Sequence, residues 1–486
     1  MSQATLQTSP PATSSASSSA ATELRVRGVG DDLFGRIADR IERIAPGRIL
    51  SLTFEAPAVP AERLFENAAV VGVEVADHGF LWHPPNGSAF AGIGVCSRLQ
   101  IDGGRRFSEL RTQAGRIFSR LDHAEIGEVV RRPARFFGGL AFDAGAADLA
   151  PWQDFGNGCF TLPRWLYRRQ GDSADLTLTL QADEAHAAGA EEWATRARAL
   201  VHGMDAAGVG PRVVERGGFP QIAPDADGDA AWIQLVSDIR QAIRGGEVEK
   251  IVAARRFRVE LPFRRSLGRT LSRLGQHRRP SIRFAFSRPG ATFVGLTPEK
   301  LVAKRGMRLE TEALAGSIES GDEHAAALLG SGKDRLEQQL VVDSIVRRLE
   351  PLCSRLEVAE RPSVRELRDV LHLHTPIVGT LEEPRHVLDL AELLHPTPAV
   401  GGVPTEAAME WIRGREAHPR GWYASPIGWF DESGDGELAV ALRSCLLQPE
   451  RAYLYAGAGI VADSDPVREL HEVELKLQTL LQALSG

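Results

Sequence analysis

Lysine is nearly absent from this chain of 486 residues. Only five of its 57 basic residues are lysines, and all five follow residue 249: Lys250, Lys300, Lys304, Lys333 and Lys476. Arginine carries surface charge equally well, but its pKa is too high for it to act as a base near neutrality. One explanation for the scarcity of lysine is codon bias, with the five lysines as chance exceptions. The other is that individual lysines are kept for chemistry that arginine cannot perform.

Other absences exclude whole classes of protein. No run approaches the ~18 consecutive apolar residues of a membrane-spanning helix. The net charge of −7 offers no basic field for nucleic acid or anionic lipid. The four cysteines lack the paired spacing of a zinc site or a redox dithiol, which is typical of a reducing compartment. We therefore expect a cytoplasmic protein that binds neither nucleic acid nor membrane.

Composition divides the chain into three parts. Residues 1–22 are almost all Ser, Thr, Ala, Pro and Gln, which predicts a disordered tail without the basic start and apolar stretch of a signal peptide. The Gly-, Pro- and Asp-rich stretch 217–229 is the best candidate boundary. The predicted parts are the tail, an amino-terminal half over 23–229 and a second half over 230–486.

Hydrophobic periodicity predicts strands and helices that mix without strict alternation. The strands cover 49–54, 90–95, 136–142, 176–180, 282–286 and 453–455, and the clearest helices cover 31–44, 230–244, 333–349 and 466–484. This order favours an α+β fold with large antiparallel sheets packed together and flanking helices.

A glycine motif near the C-terminus matches the dinucleotide fingerprint only in part. Residues 457–462 read GAGIVA after an apparent strand, but only 24 residues follow, which is too few for the second strand that a Rossmann unit needs. The alternative interpretation is that these glycines let backbone N–H groups approach an anionic ligand closely.

Carboxylates lie along the margins of two apolar helix faces. In the last helix Glu469 and Glu472 precede, by one position, the apolar stripe of Leu470, Val473, Leu477, Leu480 and Leu484. In a second helix Glu337 lies beside Leu336, Leu340 and Ile345. One interpretation is solvated charge with a Glu472–Lys476 pair. The other is a Mg2+ site, since carboxylates at a core margin need a partner or a cation.

Three histidines offer a further metal hypothesis. His372 and His374 would share one face of a strand, with His395 elsewhere, but no acidic or cysteine partner has matching spacing, which disfavours zinc.

Eight ordered segments of the second half carry a family resemblance. They are VEKIVAAR (248–255), FVGLTPEKL (293–301), TEALAGS (311–317), KDRLE (333–337), HLHTP (372–376), HPTPAVGG (395–402), RGWY (420–423) and YAGAGIVADSDP (455–466). The chain resembles the chorismate-utilising enzymes, and within them the isochorismate synthases of menaquinone biosynthesis. The first half resembles them more weakly, through FAGIG (90–94) and FGGLAFD (137–143).

The resemblance implies a fold and a reaction. In that family both halves build one α+β body with the active site between its sheets, so 217–229 would be a linker. The reaction would convert chorismate to isochorismate with Mg2+: water adds at C2 while the C4 hydroxyl leaves. A lysine base needs its pKa lowered for this, and a glutamic acid donor needs its pKa raised. The family is often monomeric, so we expect a monomer.

The resemblance also implies site residues. The base and the acid would be Lys250 and Glu299. Glu337 and Glu472 would hold Mg2+, with Glu469 close by. Tyr423, Arg443 and the backbone of Gly459 would bind the enolpyruvyl carboxylate, while Gly316, His372 and Ala399 would line the ring pocket.

Single positions separate the sister activities of that family. Aminodeoxychorismate synthases typically have a nucleophilic lysine where this chain has Ala315, and anthranilate synthases lack the lysine at position 250. Salicylate synthases, which go on to eliminate pyruvate, usually carry threonine where this chain has Ala399. The sequence therefore favours isochorismate as the product, with a salicylate synthase or a non-catalytic ligand-binding relative as alternatives.

Two departures from the family pattern remain. Ser425 stands where glycine is usual, and residues 417–419 (Ala-His-Pro) replace a more acidic or aromatic segment.

Overall fold

A computed structural model describes residues 31–206, 220–223, 228–261, 267–276, 280–321, 323–367 and 370–485. The predicted tail over 1–22 lies outside the described residues, and so does most of the predicted linker over 217–229. The division into halves remains a prediction.

The described residues form thirteen α-helices, and no helix among them is long and apolar enough to cross a membrane. The helices are α1 (Asp31–Glu42), α2 (Arg63–Glu66), α3 (Val75–His78), α4 (Arg106–Phe118), α5 (Ala182–Ala188), α6 (Ala190–Asp205), α7 (Asp229–Arg244), α8 (Leu267–Gly275), α9 (His324–Gly330), α10 (Gly332–Leu349), α11 (Val387–Leu394), α12 (Thr405–Arg415) and α13 (Pro466–Leu484).

Strands dominate the body, and hydrogen bonds join all twenty-one described strands into one curled network. They are β1 (Ile49–Glu55), β2 (Gly79–His83), β3 (Ala89–Gln100), β4 (Leu121–Ile126), β5 (Arg135–Leu140), β6 (Gly158–Gln170), β7 (Ser173–Gln181), β8 (Gln221–Ile222), β9 (Lys250–Glu260), β10 (Ile282–Arg288), β11 (Ala291–Thr297), β12 (Lys300–Arg305), β13 (Arg308–Glu319), β14 (Cys353–Val358), β15 (Ser363–Glu366), β16 (Val370–Leu381), β17 (Gly402–Val403), β18 (Pro426–Asp431), β19 (Gly436–Val440), β20 (Ser444–Leu447) and β21 (Arg451–Ile460). Most pairs are antiparallel, which confirms the predicted fold class.

The predicted elements are all present. Each of the six strands and four helices forms, and α13 matches its predicted bounds. Two strands are much longer than predicted: β3 covers Ala89–Gln100 and β21 covers Arg451–Ile460, whereas the sequence predicts only 90–95 and 453–455. Asp465 caps α13 by accepting hydrogen bonds from the backbone N–H groups of Val467 and Arg468, and Pro466 occupies the first turn. The glycine motif continues β21, where Gly459 pairs with Val252 of β9.

Strands from the two sequence halves pair directly. β2 pairs with β10, and β5 pairs with β18. Aromatic side chains cross the same boundary: the Trp152 indole N–H donates to the Tyr455 hydroxyl over 2.9 Å, and the Trp152 and Phe293 rings meet at 5.2 Å. A single apolar cluster contains residues from Phe34 to Leu484.

Two helices with polar margins cover one end of the strands. α13 packs on β21 with Val473, Leu477 and Leu480 buried, as the stripe predicts. α10 packs on β13. Its predicted apolar face is wrong at one position, because Leu336 is 63% exposed.

The buried face of α10 includes a polar residue that hydrophobic periodicity cannot detect. Gln338 is buried with Val341 and Ile345, and its amide donates to the Ala313 carbonyl and to the Thr375 hydroxyl over 3.0 Å each. The amide nitrogen is thus hydrogen-bonded, whereas Oε1 has no hydrogen-bond partner among the described residues.

Candidate active site

A cavity of about 940 Å³ lies between the strand ends and the helices α10 and α13. Its walls include ten of the eleven predicted site residues: Glu299, Gly316, Glu337, His372, Ala399, Tyr423, Arg443, Gly459, Glu469 and Glu472. Residues distant in the sequence by more than 170 positions thus meet around one space. The eleventh, Lys250, lies behind this wall.

Lys250 is the first residue of β9 and is completely buried. Its ammonium nitrogen lies 2.8 Å from Oε1 of Glu337, which borders the cavity. Gly459 of the neighbouring strand makes this pair possible. A Cβ at position 459 would lie 2.5 Å from that same Oε1 and 3.0 Å from Cε of Lys250. Glycine therefore leaves the space that this pair occupies, and a side chain here would force Glu337 to shift.

Glu299 is a buried carboxyl and a much weaker acid than an ordinary glutamate. Burial, and next the charge of Glu312, raise the pKa of Glu299 to about 8, against the opposing charges of Lys250 and Arg365. Glu312 itself is held ionised: burial alone would raise its pKa, but His374 and Arg365 lower it to about 2. Glu299 is therefore mostly protonated at neutral pH and can donate a proton.

Three carboxylates and three lysines alternate along one side of the cavity. Glu469 lies 3.3 Å from Nζ of Lys333, and Glu472 lies 2.7 Å from Nζ of Lys476. With Lys250 and Glu337 they form a charge-balanced cluster. Each lysine amine is thus held beside a carboxylate.

The electrostatics of the carboxylates differ within the cluster. Burial raises the pKa of Glu469, and the neighbouring charge of Glu472 raises it further. For Glu337 burial acts in the same direction, but Lys250, Lys333 and Lys476 lower its pKa below the ordinary value. Glu469 and Glu472 repel each other, and a divalent cation between them would relieve this repulsion.

The donor set suits a hard cation, although the ligands are not preassembled. Carboxylate oxygens are the protein ligands that Mg2+ prefers, and it keeps several waters or substrate oxygens. No group of three His, Cys, Asp or Glu side chains in the described ranges already has the geometry of a metal site. The carboxylates are instead paired with lysines, which a cation would have to displace.

The other end of the cavity presents groups that suit a carboxylate. The Arg443 guanidinium lies 3.2 Å from Nε2 of His372, and Tyr423 stacks on Tyr455 with ring centroids 5.2 Å apart. Burial, and then the charge of Arg443, lower the pKa of His372 well below its ordinary value, so its ring is neutral. Ala424 and Arg443 have φ of 61° and 45°, strained for non-glycine residues, and both border the cavity.

The remaining histidines lie elsewhere in hydrogen-bonded positions. His374 lies 3.0 Å from Glu312, and Nε2 of His395 lies 2.9 Å from the Phe142 carbonyl. Neither borders the cavity.

Sequence reasoning gave no role to several groups that the structure brings to the cavity. Asp334, Ser317 and Tyr455 line it, and so do Lys333 and Lys476. The scarcity of lysine singled out both lysines, and the i, i+4 spacing also predicted the Glu472–Lys476 pair that the structure confirms. Tyr455 is the first residue of the segment YAGAGIVADSDP (455–466), but the sequence assigned it no role.

Ser425, which stands where the family usually has glycine, lies outside the cavity. Ser425 is fully buried, and its hydroxyl oxygen lies 2.6 Å from the carbonyl oxygens of both Leu140 and Trp422. The substitution therefore affects the junction with β5 and not the cavity wall.

A buried cavity with a protonated carboxyl, a lysine–glutamate pair and an arginine is the site of an enzyme that acts on a small anionic molecule. The chain belongs to the chorismate-binding enzyme family, whose sequence model matches residues 37–485.

Relatives and a solved structure agree with this assignment. The chain is 42% identical over 278 residues to the salicylate biosynthesis isochorismate synthase of Pseudomonas aeruginosa, covering 54% of this chain and 57% of that protein. It is 34% identical over 380 residues to isochorismate synthase MenF of Bacillus subtilis, covering 76% and 77%. The structure of MenF from Escherichia coli superposes with a TM-score of 0.72 at 26% identity, covering 93% of this chain and 99% of that one.

Proposed function

We propose that this protein is a Mg2+-dependent isochorismate synthase that converts chorismate to isochorismate. The observation that carries the proposal is the meeting of protonated Glu299 and the Lys250–Glu337 pair at one cavity that also holds Arg443. Relatives named isochorismate synthases support the choice of reaction.

Glu299 serves as the general acid. Expulsion of the C4 hydroxyl needs a proton, and a carboxyl with a pKa of about 8 carries one at neutral pH. Its burial at the cavity wall also excludes water that would otherwise lower that pKa.

Lys250 serves as the base that removes a proton from the attacking water. Only its neutral amine can do this, so the reacting state needs Lys250 without its proton. Its position behind Glu337 and Gly459 keeps bulk water away from the amine. Arginine would fail at this position because its guanidinium stays protonated.

Substrate carboxylates are held at both ends of the cavity. Arg443 and Tyr423 bind the enolpyruvyl carboxylate, with the backbone of Gly459 nearby, while His372, Gly316 and Ala399 border the ring. Glu337 and Glu472 would hold Mg2+, with Glu469 as the adjacent carboxylate. When bound, Mg2+ would neutralise and orient the ring carboxylate.

Ala315 and Ala399 fit a reaction that stops at isochorismate. Both border the cavity as methyl groups, so neither offers an amine for covalent attack or a hydroxyl. We also propose that the protein acts as a cytoplasmic monomer. Its four cysteines are all free thiols, which suits a reducing compartment.

Product analysis tests the proposal directly. The purified protein is incubated with chorismate and Mg2+, and the products are separated by chromatography. Isochorismate alone supports the proposal. Salicylate with pyruvate would establish a salicylate synthase instead, and the absence of turnover would leave a non-catalytic ligand-binding protein.

A further inference from the structure

A second cavity, of about 610 Å³, lies directly behind the proposed active site. Its residues come from α7, from β9, from the end of α12 and the segment that follows it, and from β21: Ala231, Trp232, Leu235, Ala254, Arg255, Arg256, Arg415, Ala417, His418, Arg420 and Tyr455. Ala417 and His418 belong to the segment that departs from the family pattern, for which the proposed reaction has no use. We call this space the rear cavity.

The rear cavity holds four arginines, of which two have carboxylate partners in the described part of the chain and two do not. Arg255 pairs with Asp229 over 3.0 Å, and Arg420 pairs with Glu416. Arg256 instead lies 3.0 Å from the ring nitrogen Nε2 of His418 and over the Tyr453 ring, and Arg415 lies over the Trp411 ring. Within the described ranges neither Arg256 nor Arg415 forms an ion pair with a carboxylate. An anion could therefore bind here without displacing a protein carboxylate.

Buried donors in the same wall also lack acceptors. Trp232 is 2% exposed, yet its indole N–H has no hydrogen-bond acceptor among the described residues, and neither has Nε of Arg256. A buried N–H without a partner destabilises the fold, so such groups mark places where an acceptor is missing. The remaining wall is apolar, with the Trp232 ring, Leu235 and Ala254.

The inner wall of the rear cavity is also a wall of the active site. Arg420 and Tyr455 border both cavities. The Arg420 guanidinium donates to the carbonyls of Val252 and Val400 over 2.7 Å each, and both residues line the active site. Tyr455 stacks on Tyr423, a predicted substrate contact. A molecule in the rear cavity would therefore contact the supports of the substrate pocket.

We propose that the rear cavity is a binding site for a small monocarboxylate with a flat apolar ring. We also propose that its occupancy changes the binding of chorismate in the adjacent active site. The carboxylate binds between Arg256 and Arg415, while the ring lies against Trp232 and Leu235. The coupling rests on the proposed function, whereas the binding site itself does not.

Calorimetric titration of the full chain with benzoate, in the absence of chorismate, tests the site. We expect binding of benzoate and at least tenfold weaker binding of benzamide, because the amide has lost the charge that two arginines attract. No binding of benzoate, or equal binding of the two compounds, would overturn the proposal.

A matched pair of helix variants locates the bound benzoate. Ala230 and Ala231 are both exposed on α7, but only Ala231 borders the rear cavity. Ala231→Phe should fill the cavity and weaken benzoate binding about tenfold or more, and Ala230→Phe should leave it unchanged. Unchanged binding in Ala231→Phe would place benzoate elsewhere and sink the proposal.

A second variant, which removes a charge, keeps the proposal testable if Ala231→Phe does not fold. Arg415→Gln changes an exposed residue and should weaken benzoate binding by about threefold to tenfold, while its melting temperature stays that of the parent. If Arg415→Gln binds benzoate as the parent does, the carboxylate does not bind at the two arginines and the proposal fails.

Kinetics with chorismate then test the coupling separately. Benzoate should change the KM for chorismate in the parent and in Ala230→Phe, but not in Ala231→Phe. An unchanged KM under saturating benzoate would reject the coupling while leaving the binding site. A parent protein without any turnover would instead refute the proposed function, and the calorimetric result would stand by itself.

Discussion

Lys250 is the side chain on which the proposed chemistry depends most. It is buried, it contacts Glu337, and Gly459 leaves the space that both side chains occupy. Charge alone does not explain a lysine here, because arginine pairs with carboxylates at least as well. A group that can lose its proton does explain it.

Replacement of this lysine should separate chemistry from binding. We expect Lys250→Ala to lower kcat by about 10³-fold, in the range typical of a general base, with chorismate still bound. Lys300→Ala is the matched control, because Lys300 pairs with Glu310 outside the cavity. Near-normal turnover in Lys250→Ala, measured by isochorismate formation, would remove Lys250 from the role of base.

Glu299 should set the alkaline limit of activity. Because the acid must be protonated and its pKa is about 8, kcat/KM should fall about tenfold per pH unit above that value. Glu299→Gln should lose activity by about 10²-fold or more and should lose this alkaline limb. A limb that persists in the residual activity of the variant would show that another group titrates.

At the scale of single elements, β21 and α13 build the site by bringing a glycine and two carboxylates against α10. The α13 bounds and its apolar stripe followed from periodicity. The α10 face did not, because the buried Gln338 and the exposed Leu336 reverse the expected pattern. Hydrogen bonds from Gln338 to β13 and β16 decide that face.

The strand glycine offers a steric test of this arrangement. Gly459→Ala would place a methyl group 2.5 Å from Oε1 of Glu337, so we expect at least about tenfold loss of kcat with a retained circular dichroism spectrum. Gly414→Ala in α12 meets no atom within 4 Å and should behave as the parent. Full activity in Gly459→Ala would mean that the position of Glu337 does not matter.

The carboxylates of α13 are tested by metal titration. Glu472→Gln should raise the Mg2+ concentration for half-maximal activity by about tenfold or more, because one anionic ligand is lost. Glu474→Gln, on the exposed side of the same helix, is the control. Identical Mg2+ titrations for Glu472→Gln and the parent would count against a cation at this site.

At the scale of the whole molecule, the raised pKa of Glu299 lowers the free energy of unfolding at alkaline pH. Its folded pKa of about 8 is raised above the ordinary 4.5. For a raised pKa the contribution to stability is present below pH 4.5 and is lost as pH rises through 8.

Replacement of the carboxyl by an amide should remove this cost. We expect Glu299→Gln to exceed the parent in unfolding free energy by about 4–5 kcal/mol near pH 8.5, with no difference near pH 4. Denaturant titrations at the two pH values measure it. Equal stabilities at pH 8.5 would mean that ionised Glu299 is well solvated.

The sequence alone determined the fold class, the principal helices and strands, and the set of residues that could do chemistry, because periodicity and ordered motifs are local properties of a chain. The scarcity of lysine pointed to Lys250, Lys333 and Lys476 before any contact was known. Only the tertiary structure decided that Lys250 faces Glu337 and that Lys333 faces Glu469, since these two pairs join β9 to α10 and α10 to α13 across more than 80 positions. It also decided that Lys250 lies behind the cavity wall and that Glu299 keeps its proton, because burial and neighbouring charge arise only when the strands and helices pack.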